Sequence, residues 1–190
     1  MKRSLGVAAS ALLVLLSASC APKAPPSKVL PPVKPVYHAY LTIMTGQMTG
    51  KPGWPQMQPS DFTLPPDSEV ILTITNYDDD NSSVPATYNQ VRGTLSGQET
   101  VNGQSVSSVD MKKIAHTFSL DALKLNLPIP VAHLTKGPIQ PTVVVAEFHT
   151  PKSGTQTWQC YASCGSGKSG WEGSMSTDGF MTGKVTFSNQ

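Results

Sequence analysis

The chain has 190 residues, with 14 Lys and Arg against 12 Asp and Glu and a formal net charge of +2. That length suits a single domain, and so small a charge offers no basic footprint for nucleic acid. Reaction motifs are absent from the sequence: there is no Gly-x-Ser-x-Gly elbow, no His-Glu-x-x-His, no phosphate loop and no dinucleotide fingerprint. No pair of carboxylates is set out for acid/base work either, so the expectation is a protein that is not an enzyme.

Lys2 and Arg3 precede an apolar run from Leu5 to Leu16, followed by Ser17-Ala-Ser-Cys20. A charged start, a short apolar stretch and a small-residue exit are the layout of a secretory signal peptide, here over residues 1–20. The run is short for a permanent bilayer-spanning helix. Cys20 resembles the lipidated cysteine of bacterial lipoproteins, although Leu16 stands one place further from it than in that pattern. The resemblance implies a lipid on Cys20 and membrane attachment. It puts the chain at the outer face of the cytoplasmic membrane, in the periplasm or at the cell surface. Ordinary cleavage after Ala21 is the other reading. Without Lys2 and Arg3, 12 basic residues balance 12 acidic ones. Residues 21–36 carry six prolines, a composition that favours polyproline II and packs no core, so they read as a spacer.

The domain is expected over 37–190. Tyr37 to Met44 reads as a first strand, and Gly46 to Pro59, rich in Gly, Pro, Met and Gln, as a loop anchored by Trp54. Phe62 to Leu64 is a short extended piece. Glu69 to Asn76 is the clearest strand, with Val70, Leu72 and Ile74 on one face by period two. Asp78-Asp-Asp80 reads as a solvated turn rather than a hard-cation site, because no second oxygen cluster accompanies it. Residues 81–113 read as an insertion, with a short strand from Tyr88 to Leu95 and a surface excursion from Gly97 to Ser108. Ile114 to Leu120 returns to strand, and Ala122 to Leu127 is either a helical turn or extended. Pro128, Pro130, Pro138 and Pro141 punctuate loops. Thr142 to Phe148, Thr155 to Cys160 and Met181 to Phe187 complete the strands. Short strands, Gly/Pro turns and no sustained helical periodicity predict an all-β fold, a Greek-key β-sandwich.

The chemistry concentrates in Trp158-Gln-Cys-Tyr-Ala-Ser-Cys164. Two thiols at one strand-to-loop corner, outside the cytoplasm, hold a metal or close a disulfide. A disulfide between Cys160 and Cys164 would close a five-residue loop, for which chain entropy gives about 2 kcal/mol before strain. Thiol-redox exchange is a weaker third reading, since the spacing is not the Cys-x-x-Cys of thioredoxins. Trp158 and Trp171 read as packing residues. Met44, Met48 and Met57 read as core fillers rather than a copper-collecting cluster. Of the four histidines, His38, His133 and His149 read as surface or loop residues.

In order, "FTLPPDSEVILTITNYD", "AHTFSL" and "VVVAEFHTPKSGTQTWQC" resemble the cupredoxin superfamily, and the resemblance runs from about Tyr37 to Phe187. "WQCYASCG" is most similar to the copper-A region of cytochrome oxidase subunit II and nitrous oxide reductase. The resemblance implies a cupredoxin-like sandwich in which His116 matches the first copper histidine and Cys160 and Cys164 match the bridging thiolates. It implies copper as cofactor, electron transfer and a redox protein as partner. The pattern breaks where the family places a later histidine and methionine: those positions hold Lys168 and Trp171, and no histidine follows His149. A protonated lysine has no lone pair to give a metal. A complete copper-A or type 1 site therefore cannot be built from the matching positions. Met175 or Met181 is left as the source of a thioether. The reading from a different class is a metal-free, disulfide-stapled sandwich serving as a protein-binding or structural module.

Overall fold

The computed structural model describes residues 35–134, 137–165 and 173–189. The expected signal peptide, Cys20 and nearly all of the proline-rich spacer lie outside the described residues, as do Lys168 and Trp171. The described chain forms β1 (Val36–Met44), β2 (Gln56–Gln58), β3 (Phe62–Leu64), β4 (Glu69–Asn76), β5 (Glu99–Val101), β6 (Gln104–Val106), β7 (Ile114–Leu120), β8 (Leu125–Pro130), β9 (Thr142–His149), β10 (Gly154–Gln159) and β11 (Thr182–Phe187). Three single 3-10 turns are the only helical pieces among the described residues.

The strands build two mixed sheets, ordered β2-β1-β4-β9-β5-β6 and β3-β11-β10-β7-β8. The fold is the all-β sandwich that the strand pattern predicts. In the first sheet β4 runs parallel to β1 and antiparallel to β9 along its whole length, from Glu69↔His149 to Asn76↔Thr142. Period two then sorts the side chains. Leu41 and Ile43, Val70, Leu72 and Ile74, and Val144, Ala146 and Phe148 are buried, while their neighbours on the other face are half-buried or exposed.

The second sheet is organised differently. Every residue of β7 is buried, polar ones included. Both of its faces are covered because the preceding chain straps it. Ser82 N–H donates to the Ile114 carbonyl, and Arg92 and Asn126 exchange backbone hydrogen bonds at 3.0 Å. The Asn126 amide also donates to the carbonyls of Tyr88 and Gln90, and its oxygen accepts from the Ser119 hydroxyl. The run Tyr88 to Leu95 is therefore a strap with isolated bridges at Gln90 and Arg92, not the expected strand. Gly97 to Ser108 contains β5 and β6, which extend the first sheet past β9. Its alternation is too short and too polar to announce a strand.

Two further departures have simple causes. Met57, fully buried, anchors β2 inside the expected loop, where neighbouring Gln and Pro hide the strand signal. Pro128 and Pro130 lie within β8 rather than in a loop, which an edge strand tolerates because one of its sides needs no ladder donors. The stretch Ala122 to Leu127 realises both readings, a 3-10 turn at Asp121–Leu123 and then β8.

Trp158 is fully buried on β10 and stacks on Phe118 of β7, ring centroids 5.5 Å apart. Its indole N–H donates to the Ser60 carbonyl at 2.7 Å. Gly183, its partner on β11, leaves room for that same segment: a Cβ there would overlap the Ser60 carbonyl. Gly183→Ala is expected to lower stability by about 1–3 kcal/mol through overpacking. A urea unfolding midpoint checks this, and an unshifted midpoint would show that the 60s segment moves freely.

Candidate metal centre

The site forms where β7, the end of β10 and the turn after β4 meet. In β7 an extra residue, Ala115, interrupts the ladder with β8: Ile114 pairs with Pro130 and His116 already pairs with Ile129. Bulges beside sites commonly re-aim a side chain, and His116 follows this one directly. β10 ends at Gln159 and delivers Cys160 into the core. The turn that follows is pinned on all sides. Cys160 N–H donates to Met181, Ser163 N–H to Ser83, and Cys164 N–H to Ala162. Tyr161 N–H donates to the Thr117 hydroxyl at 2.8 Å, and its ring packs on Tyr88 with centroids 4.6 Å apart.

This frame brings together His116, Cys160 and Cys164, with one ligand atom of each within 4.8 Å of the others. It is the one such group of His, Cys, Asp or Glu among the described residues. His116 and Cys160 are fully buried and Cys164 is 2% exposed. The cysteines are free thiols with Sγ atoms 3.4 Å apart. Thr117 N–H points at the Cys160 sulfur at 3.4 Å, a donor suited to a thiolate.

His116 has two unlike nitrogens. Nε2 lies 3.0 Å from Asp78 Oδ2, whereas Nδ1 is buried and has no hydrogen-bond partner. A buried imidazole nitrogen with no hydrogen-bond partner, on a ring clustered with two sulfurs, leaves a donor that could ligate a metal. Two sulfurs and one imidazole are a soft donor set suited to copper. The residues present fit the ion.

The charges in this pocket are coupled. Burial works against the His116 imidazolium, but the hydrogen bond to Asp78 and the neighbouring Cys160 sulfur outweigh it and raise the ring to about 9. Burial also opposes ionisation of Cys160, yet hydrogen bonding from Cys164 and the His116 cation hold that thiol well below its ordinary value. The same hydrogen bond, with burial and the neighbouring negative charge, pushes Cys164 well up. Burial raises Asp78, and the hydrogen bond to His116 brings it below the usual carboxylate range.

Met175, read from the sequence as the thioether source, is buried on the 3-10 turn Ser174–Ser176, and Met181 is fully buried. That turn is tied to the cysteines. Ser174 hydroxyl donates to the Cys164 carbonyl at 3.3 Å, and Gln159 Nε2 donates to the carbonyls of Cys160 and Met175. Gly165 leads out of the turn with φ of 99°, and a Cβ there would overlap Ser174 Oγ. His38, His133 and His149 are exposed and lie outside the cluster. Met44, Met48 and Met57 differ in burial, with Met48 52% exposed and Met57 fully buried.

Asp78 overturns the reading of 78–80 as a solvated turn. It is buried, while Asp80 is exposed. It was missed because it lies 38 residues from His116 in sequence. The local signal was Asn76-x-Asp78, where the Asn76 side chain caps the turn. A polar cleft of about 320 Å³ opens beside it, lined in part by Gly46, Gln47, Asp78, Asp80, Ser163 and Gly165.

No protein-family model matches the chain, and no curated protein matches it.

Proposed function

We propose that this chain is a cupredoxin-like copper-binding protein that serves electron transfer. On this reading it is exported and held at the outer face of a membrane by a lipid on Cys20, with a redox protein as its partner. The observation that carries the proposal is the buried convergence of His116, Cys160 and Cys164 inside a β-sandwich, with His116 Nδ1 left without a hydrogen-bond partner. These three residues would hold the ion, with Met175 or Met181 as the source of a further thioether. Bound copper supplies a one-electron couple, and soft thiolates with imidazole tune its potential. The chain's own contribution is to exclude water, keep the ligands from rearranging and give up the Nδ1 and thiol protons when metal binds. The spacing Cys160 to Cys164 and the strand position of His116 support the cupredoxin-like assignment.

A second reading rests on the short separation of the sulfurs, 3.4 Å. In an oxidising compartment the same pair would close to a disulfide, and the domain would be a metal-free binding or structural module.

Native mass spectrometry of the mature domain, reduced and then offered copper(I), separates the two. The expected result is retained copper in the wild type and none in Cys160→Ser. A chain short of two hydrogens that takes up no copper even after reduction would overturn the copper reading and support the staple.

A further inference from the structure

We infer that Asp78 is the positioning residue of this site: its carboxylate holds His116 Nε2 and thereby presents Nδ1 to the metal. The inference rests on the copper reading above and adds to it a residue that neither the thiol motif nor the histidine position brings in.

The geometry is specific. A histidine can coordinate through either nitrogen, and the hydrogen bond made by the other decides which. Here Nε2 donates to Asp78 Oδ2 at 3.0 Å, and Nδ1 is the nitrogen left over. The carboxylate itself cannot drift. Its second oxygen accepts from Asp80 N–H at 3.2 Å. Its backbone is clasped by the fully buried Asn76, whose side-chain oxygen accepts from Asp78 N–H and whose amide donates to the Asp78 carbonyl, both at 3.0 Å. The same amide donates to the Pro130 carbonyl at 2.9 Å, and Ala132 N–H donates to the Asp78 carbonyl at 2.8 Å. Asn76 ends β4 of one sheet and Pro130 ends β8 of the other. Asp78 is thus fixed at a seam between the two sheets, so the ring it holds is fixed with respect to both cysteines.

An anion there also offsets charge as the histidine takes up a metal cation. Carboxylates that orient a ligating histidine typically contribute about 10–100-fold in metal affinity. A carboxylate that served only the turn, through its bond from Asp80 N–H, would leave metal affinity unchanged.

The test compares wild type, Asp78→Ala and Asp78→Asn. Copper(I) affinity is measured by competition with a chromophoric chelator, and the histidine nitrogen coupling by pulsed EPR of the oxidised, copper-loaded form. Asp78→Ala is expected to lose roughly 10–100-fold in affinity and to weaken or lose the coupling. Asp78→Asn, whose amide oxygen still accepts from Nε2–H, should restore most of both. In the metal-free protein, nitrogen-15 NMR should show a slowly exchanging Nε2 proton on His116 that Asp78→Ala loses. If Asp78→Ala does not fold, Asp78→Ser keeps a turn-capping hydroxyl that is too short to reach the ring, and decides in the same way. Copper binding and nitrogen coupling indifferent to Asp78 overturn this inference alone. A wild type that takes up no copper overturns it together with the reading of the site.

Discussion

Glu99→Gln is expected to make the protein more stable at neutral pH and to remove most of a downward slope of stability with pH. Glu99 is 2% exposed and neither carboxyl oxygen has a hydrogen-bond partner. Burial raises its carboxyl to about 9, against an ordinary value of 4.5. Between those two values the folded protein holds a proton that the unfolded chain has released. Stability therefore falls as pH rises through that window, by about 1.4 kcal/mol per pH unit for a single group. At pH 7 the accumulated cost is about 3 kcal/mol, and below pH 4.5 it vanishes. A glutamine at this position carries no charge to desolvate. Urea midpoints of both proteins at pH 5, 7 and 8.5 should diverge steadily as pH rises. Parallel profiles would mean that Glu99 is ionised in the folded state and has a partner.

Trp158→Ala carries the largest loss. The side chain is fully buried, stacked on Phe118 and hydrogen-bonded to Ser60. Truncating a buried tryptophan costs about 3–5 kcal/mol, the lost transfer plus a cavity, out of roughly 5–15 kcal/mol for a whole domain. The melting temperature should fall by roughly 10 °C, at about 2–4 °C per kcal/mol for a chain of this size. The candidate site is exposed to the same loss, because Trp158 lies on the strand that delivers Cys160. Trp158→Phe keeps the stack and gives up the hydrogen bond to Ser60, for about 1 kcal/mol. It should retain the thiol pair's geometry. If Trp158→Phe proves as damaging as Trp158→Ala in calorimetry, the indole hydrogen bond, and not the ring volume, secures this corner.

Much of this protein was legible in order along the chain. Period-two alternation in Glu69–Asn76 and Thr142–His149 announced strands with one buried face, and both are such strands. The spacing of Cys160 and Cys164 announced a candidate site, and His116 was singled out with them. The three lie within one 4.8 Å cluster. These features are local, or repeat at a period that the backbone itself imposes, so the residues carry them without help.

Other features had no local signature. The β7 strand keeps Ser119 and Thr117 buried because Asn126 and the 82–92 strap reach it from elsewhere in the chain. The β5–β6 hairpin gains its place by pairing with β9, not from alternation of its own. Asp78 looked like one of three solvated aspartates. It became the partner of His116 only because the ends of β4 and β8 close on each other through Asn76. By itself the sequence determined a β-sandwich class, the thiol pair and the histidine to test with it. The tertiary structure alone decided which aspartate is buried and which imidazole nitrogen is free, because both depend on hydrogen bonds between segments that sequence distance keeps apart.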